Sequence, residues 1–233
     1  MKARFAWLFA AALSLNSCGT NMPAGPMQHD TRSIPRDTAE SARVDLHMGG
    51  GELRINGGAQ DLMSANFDYN VPSWKPEVHY DATAGVASLS IEQPSGQNTF
   101  ANATNKWDVR LNDEVPTDIT VRLGSGEAHL NIGTLSLRNV EIEMGAGEME
   151  LDLRWMPRQS YNVRVRGGAG EATVHLPKNV GVYAQAEGVL GDIKVTGLRR
   201  EEDHWISDGY GYAKVQIHLD VRGGVGQINL LAD

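Results

Sequence analysis

Six times along this 233-residue chain, a stretch of alternating apolar and polar residues reaches a glycine corner, most often closed by an acid, and then resumes its alternation. The copies read Gly49-Gly50-Gly51-Glu52, Gly124-Ser125-Gly126-Glu127, Gly145-Ala146-Gly147-Glu148, Gly168-Ala169-Gly170-Glu171, Val189-Leu190-Gly191-Asp192 and Gly224-Val225-Gly226-Gln227. Between the last glycines of the central copies the steps are 21, 23 and 21 residues. A near-constant period of that size marks stacked β units, each unable to bury its apolar face alone, rather than an enzyme built around one cleft.

Apolar side chains recur every second residue and glycine interrupts each run, which excludes helix and makes the chain all-β. Aligned on the corner, Val44/Leu46/Met48, Ile119/Val121/Leu123, Val140/Ile142/Met144 and their equivalents before it fall on one face. Leu53/Ile55, Ala128/Leu130/Ile132, Met149/Leu151/Leu153 and their equivalents after it continue that face, so these residues form the expected core. Strict alternation turns Arg122, Glu141, Glu143, Arg164, Arg166, His129, Glu150, Thr173 and Lys194 to solvent. The expected architecture is an elongated repeat stack, like a β-solenoid, with glycine corners. The same spacing is compatible with stacked hairpins in an antiparallel β-sandwich, because periodicity does not fix strand direction.

The N-terminus carries a different message. Lys2 and Arg4 precede the apolar run Phe5–Leu15, too short to span a bilayer, and Leu15-Asn16-Ser17-Cys18 ends it. That pattern resembles a lipoprotein signal in which Cys18, the single cysteine, takes a lipid and becomes the new N-terminus; Asn16 departs from the usual small or apolar residue. The resemblance implies export, membrane attachment through the lipid on Cys18 and, because Gly19 follows the cysteine, the outer membrane if the organism has one. Loss of Lys2 and Arg4 with the signal takes the formal charge from −8 to −10, and no basic run remains to hold nucleic acid. From Gly19 to about Glu40, prolines among polar residues read as a tether. The division is thus a signal peptide (1–17), a lipidated flexible tether (18–40), an N-terminal β subdomain (41–118) and a repeat stack continuous with it (119–233).

Two segments break the repeat. One lies between Glu52 and Glu127 and contains the turn Val71-Pro72-Ser73-Trp74-Lys75-Pro76 and an apparent hairpin around Ala84-Gly85. The other, Leu198 to Ala213, stretches the last interval to 35 residues. With Ser41–Ile55 and Trp74-Lys75-Pro76-Glu77-Val78 in hand, the chain from Ser41 onward resembles the toast-rack family of bacterial envelope domains. That family is similar to adhesin-like domains and to the extracytoplasmic parts of cell-wall-active antibiotic response proteins. The resemblance implies a rack of stacked strands with no established catalytic activity, and it carries over no site residues.

The acids after the corners would repel if stacked at ~4.8 Å, by about 1 kcal/mol per pair even in water. Either backbone N–H groups at the corners and Arg122, Arg164 and Arg166 relieve them, the favoured account, or Ca²⁺ bridges Glu127, Glu148, Glu171 and Asp192. The histidines lack metal-ligand spacing, and no nucleophile elbow, phosphate loop or cofactor motif occurs. Ser125 in Gly124-Ser125-Gly126 is replaced by alanine in the next copies, and Glu141, Glu143 and Glu150 are the nearest approach to an acid/base set. The aromatic loop holding Trp205, Tyr210 and Tyr212, together with Trp74, is the candidate partner-binding set, the alternative being that the loop caps the stack. The expectation is a non-catalytic, lipid-anchored envelope protein, an adhesin-like scaffold for glycan or protein; the alternative is an accessory or sensor protein in envelope stress.

Overall fold

A computed structural model describes residues 22–95 and 100–233 of the chain. The signal segment and Cys18 lie outside the described residues. In chain order the strands are β1 (Met22–Pro23), β2 (Gln28–Ile34), β3 (Ser41–Asn56), β4 (Met63–Tyr69), β5 (Glu77–Thr83), β6 (Val86–Glu92), β7 (Phe100–Ala101) and β8 (Asn105–Leu111). They continue with β9 (Thr117–Asn131), β10 (Leu137–Asp152), β11 (Tyr161–Leu176), β12 (Gly181–Thr196), β13 (Arg199–Glu201), β14 (His204–Ile206) and β15 (Gln216–Ala232).

Each of the six long strands, β3, β9, β10, β11, β12 and β15, is one repeat copy, and the chain stays extended through the corner in its middle. All six pair in parallel and in register, so that Gly51, Gly126, Gly147, Gly170, Gly226 and Gly191 form one row. The repeat stack is therefore parallel, and the antiparallel sandwich does not form.

The corner exists because it resets the alternation. Leu46 and Met48 point inward before it, Leu53 and Ile55 after it, so the inward parity changes from even to odd. Two arms of one strand thereby face the same core, into which Val121, Ile142, Leu151, Val163, Leu219 and Leu230 are also buried. Glycine is obligatory where the parity changes. At Gly170 φ is +133°, and a Cβ would lie 1.8 Å from the Gly147 carbonyl oxygen of the next rung.

Stack order departs from chain order. The rungs run β3-β9-β10-β11-β15-β12, so the last copy inserts between the two before it. The long last interval supplies the means: β13 and β14 form a hairpin whose β14 pairs antiparallel with Tyr183 and Ala184 at the outer edge of β12. The chain then returns as β15.

Beyond β3 the corner is discontinued. β6 pairs with the first arm of β3 (Ser41–His47) and β8 with the second (Glu52–Asn56), and β5 and β4 extend these arms antiparallel. β5 and β6 are the hairpin anticipated around Ala84-Gly85, both of which take positive φ. Side chains replace the missing corner. Gln93 Oε1 accepts from the Gly49 N–H at 2.9 Å, and Asn105 Nδ2 donates to the Gly50 carbonyl at 3.0 Å and to Gln93 Oε1 at 2.9 Å. Asn105 is fixed in turn by Trp107 Nε1, 3.0 Å from its Oδ1, and the Trp107 ring meets Phe67 edge-on at 5.6 Å.

The expected flexible tether needs correction in its described part. Gln28–Ile34 is an edge strand, pairing along its whole length with Met63–Tyr69. Its polar composition does not prevent pairing, because the ladder is made by backbone N–H and C=O groups.

Candidate functional site

The outer face of the first arm carries rows of polar side chains because in-register parallel pairing aligns equivalent positions. One row runs Asn139, Asn162, His218, Tyr183, and its neighbour runs Glu141, Arg164, Asp220, Gln185. Between them lies a shallow groove of about 600 Å³ counting its open mouth, lined by Asn139, Asn162, Arg164, Tyr183, Gln185, His218 and Asp220. A similar hollow lined by Arg43, Asp45, Asp118 and Thr120 occupies the same face nearer β3.

At the β12 end this face closes in an aromatic cluster. Tyr183 stacks on His204 at 4.6 Å between ring centroids and lies 5.5 Å from Tyr210 and 5.8 Å from His218; Tyr210 meets His218 edge-on at 6.3 Å. Buried Ser207 fixes the loop that brings Tyr210 there. Its Oγ donates to the Val180 carbonyl and accepts from the Val182 N–H, both at 2.8 Å, and the Tyr210 N–H donates to the Ser207 carbonyl at 3.0 Å.

Of the candidate partner-binding residues, only Tyr210 joins this cluster. Trp205 sits on β14 opposite Ala184 of β12, packed against the core with the Arg200 guanidinium 5.6 Å from its ring centroid. Tyr212 is 92% exposed just past the cluster. Trp74 ends a single 3-10 turn, Pro72–Trp74, between β4 and β5 at the opposite end of the sheet, so it does not combine with the others. Tyr183 and His218 were not legible as a site from the sequence. The available signal was their shared register with Asn162, which only the inserted position of β15 reveals.

The acids after the corners stack as expected from Glu52 through Glu127 and Glu148 to Glu171, but Gln227 stands between Glu171 and Asp192 because β15 intervenes. Relief comes from side chains other than those anticipated. Glu52 pairs with Arg54 at 2.5 Å and Lys106 at 2.6 Å, Glu127 with His129 at 3.8 Å, and Glu171 accepts from Asn229 at 2.7 Å. The Lys106 hydrogen bond, with Arg54, holds the Glu52 carboxyl below its ordinary range despite partial burial. Arg122 and Arg164 instead sit on the first arm, paired with Glu143 at 3.4 Å and Glu141 at 3.7 Å. Among the described residues, no group of three or more acids, histidines or cysteines assembles as a metal site.

The acid/base set does not assemble either: Glu150 lies on the other arm, 3.5 Å from His129 and 3.4 Å from His175. The His175 side chain is only 15% exposed. Ser125 is one member of the row Gly50, Ser125, Ala146, Ala169 along the corners.

Comparison with known proteins agrees with this architecture. The family model described as N-terminal domain of toast_rack, DUF2154, matches residues 23–175, and that described as Cell wall-active antibiotics response LiaF, C-terminal, matches residues 123–230. A solved structure from Clostridium sporogenes ATCC 15579, named as a candidate cell adhesion protein, is 32% identical with a TM-score of 0.86, covering 89% of this chain and 100% of its own. A candidate adhesin from Bacteroides fragilis NCTC 9343 covers 90% of this chain and 99% of its own at 9% identity and a TM-score of 0.28, too distant to carry an argument. No curated protein matches the chain. The chain belongs to the toast-rack family.

Proposed function

We propose that this protein is a non-catalytic, lipid-anchored scaffold of the cell envelope that holds a glycan against the outer face of its first arm. The observation that carries the reading is the aromatic cluster of Tyr183, His204, Tyr210 and His218 at the end of a groove lined with amide, carboxylate and guanidinium groups. Aromatic rings match the apolar faces of sugar rings, while Asn139, Asn162, Gln185, Arg164 and Asp220 offer donors and acceptors to hydroxyls. The name of the Clostridium sporogenes relative points the same way. Anchoring rests on Cys18 and the signal before it, and among the described residues no helix is long and apolar enough to cross a membrane.

The test is crosslinking of the full-length protein in its native membranes, followed by identification of what is attached, with Tyr183→Ala and Tyr210→Ala alongside. Recovery of wall or surface glycan, reduced in both variants, supports the proposal. Recovery unchanged in both variants removes this face from consideration. The LiaF C-terminal match over 123–230 favours a second reading, an accessory in the response to envelope stress. A regulator, kinase or transporter captured in place of glycan establishes that reading instead.

A further inference from the structure

The two ends of the stack are finished differently. At the β3 end, Gln93 and Asn105 satisfy the polar groups of the corner. At the other end, β14 covers only Tyr183 and Ala184, and from Ala186 to Val195 the outer edge of β12 has no strand partner among the described residues. An uncovered edge is a template for another strand. Exposed apolar side chains lie on it and on the rung behind: Val189 is 86% and Leu190 67% exposed on β12, and Val225 53% on β15.

The interior behind this edge is also unfilled. The position before the corner holds Met48, Leu123 and Met144 in β3, β9 and β10, but Gly167, Gly223 and Gly188 in β11, β15 and β12. The vacated space is a small apolar cavity of about 40 Å³, with Ile193 and Ile228 on its wall.

We propose that a second copy of this chain closes the edge, the two stacks meeting end to end about a two-fold axis with β12 antiparallel to its mate. The backbone fixes the register. The Val182 carbonyl accepts from the Ser207 N–H just past β14, so alternation turns the backbone groups of Ala186 and Gly188 to the open side. After the corner, the His175 carbonyl faces the β10 side, away from β15; the backbone groups of its equivalent Thr196 therefore face β15, leaving those of Ile193 and Val195 on the open edge while their side chains pack inward. Pairing Gly188 with Ile193 of the mate, and Ala186 with Val195, matches hydrogen-bonding residues on both strands and sets each Ile193 against the space a glycine leaves.

The same register places Glu187 opposite Lys194 of the mate, twice by symmetry. Both are outward-facing and exposed. Within one chain Glu187 has only a long contact with Arg222, 3.9 Å, and Lys194 has no ion-pair partner among the described residues. Self-complementary charge together with matched backbone selects a second copy over an unrelated strand.

Sedimentation velocity of the full-length chain in detergent micelles, over a wide concentration range, tests this. The wild type is expected to be a reversible dimer. Glu187→Lys alone and Lys194→Glu alone should each weaken it on the order of thirty-fold, since two cross-strand pairs pass from attraction to repulsion. The double variant, and an equimolar mixture of the two single variants, should restore it, which a misfolded variant cannot do. A monomeric wild type overturns the proposal, whether or not the edge binds an extended peptide from another protein. So does a dimer indifferent to both reversals.

Discussion

Gly170→Ala tests the account of the corner directly. A methyl group there would sit 1.8 Å from the Gly147 carbonyl oxygen, 2.8 Å from its carbon and 3.0 Å from its nitrogen, all of them backbone atoms with no side chain to swing aside. To reach ordinary contact the rungs must part locally by more than about 1 Å, which takes N···O distances near 2.9 Å beyond bonding range. Two flanking ladder bonds lost at ~1 kcal/mol each, plus ~1–3 kcal/mol for holding alanine at φ +133°, give about 3–5 kcal/mol. For a domain of this size the melting temperature should fall by roughly 10 °C. Gly167, three residues earlier on the same strand, supplies the control: its added Cβ meets nothing within 4 Å, so Gly167→Ala should leave stability unchanged or raise it by up to ~1 kcal/mol. Differential scanning calorimetry of the three proteins decides the matter. A Gly170→Ala loss below ~1 kcal/mol, or equal losses at both positions, would refute the claim that close backbone approach, rather than general strand flexibility, dictates the glycine row.

Three further outcomes follow from the geometry. Asn105→Ala deprives the Gly50 carbonyl and Trp107 Nε1 of their buried partner and should cost about 2–4 kcal/mol by thermal melt. Trp205→Ala should lower the melting temperature through loss of its packing against the core, with a deficit of roughly 1–3 kcal/mol and no change in secondary structure by circular dichroism. The Glu52 and Asp152 carboxyls are held below their ordinary range by hydrogen bonds from Lys106 and Arg154, so their contribution is present above the usual carboxylate pKa and lost as pH falls through the lowered values. Unfolding midpoints should therefore drop on the acid side of that range, and the drop should shrink in Lys106→Met.

Much of the fold was written in local pattern. The inward rows Val44/Leu46/Met48 and Leu53/Ile55, and the need for glycine at each corner, follow from alternation and from φ, both properties of a few adjacent residues. Strand direction did not follow, because a period of 21 or 23 residues is equally long for a hairpin and for a coil. The placement of β15 between β11 and β12 was also hidden: its rows are compatible with any neighbour, and only the β13–β14 hairpin occupying the edge at Tyr183 diverts it. The candidate site suffered for the same reason. Tyr210 stood out in an aromatic loop, whereas Tyr183 and His218 are 35 residues apart and meet only through the inserted strand. Gln28–Ile34 read as tether because an edge strand needs backbone partners more than apolar side chains.

The inserted position of β15 makes the fold a statement about completeness. A stack built in chain order is serviceable at every stage of its growth, since each new coil merely lengthens what stands. Here β11 and β12 share no ladder of their own; each is bonded to β15, which the chain supplies after both. Without that strand one whole edge of β11 and the inner edge of β12 are open, and in the finished fold no other strand ties β12 with its hairpin to the rack. A chain delivered from one end to the other therefore closes only when nearly its whole length is present, and a fragment ending before Gln216 is left with a visible, sticky gap rather than a shorter version of the finished protein.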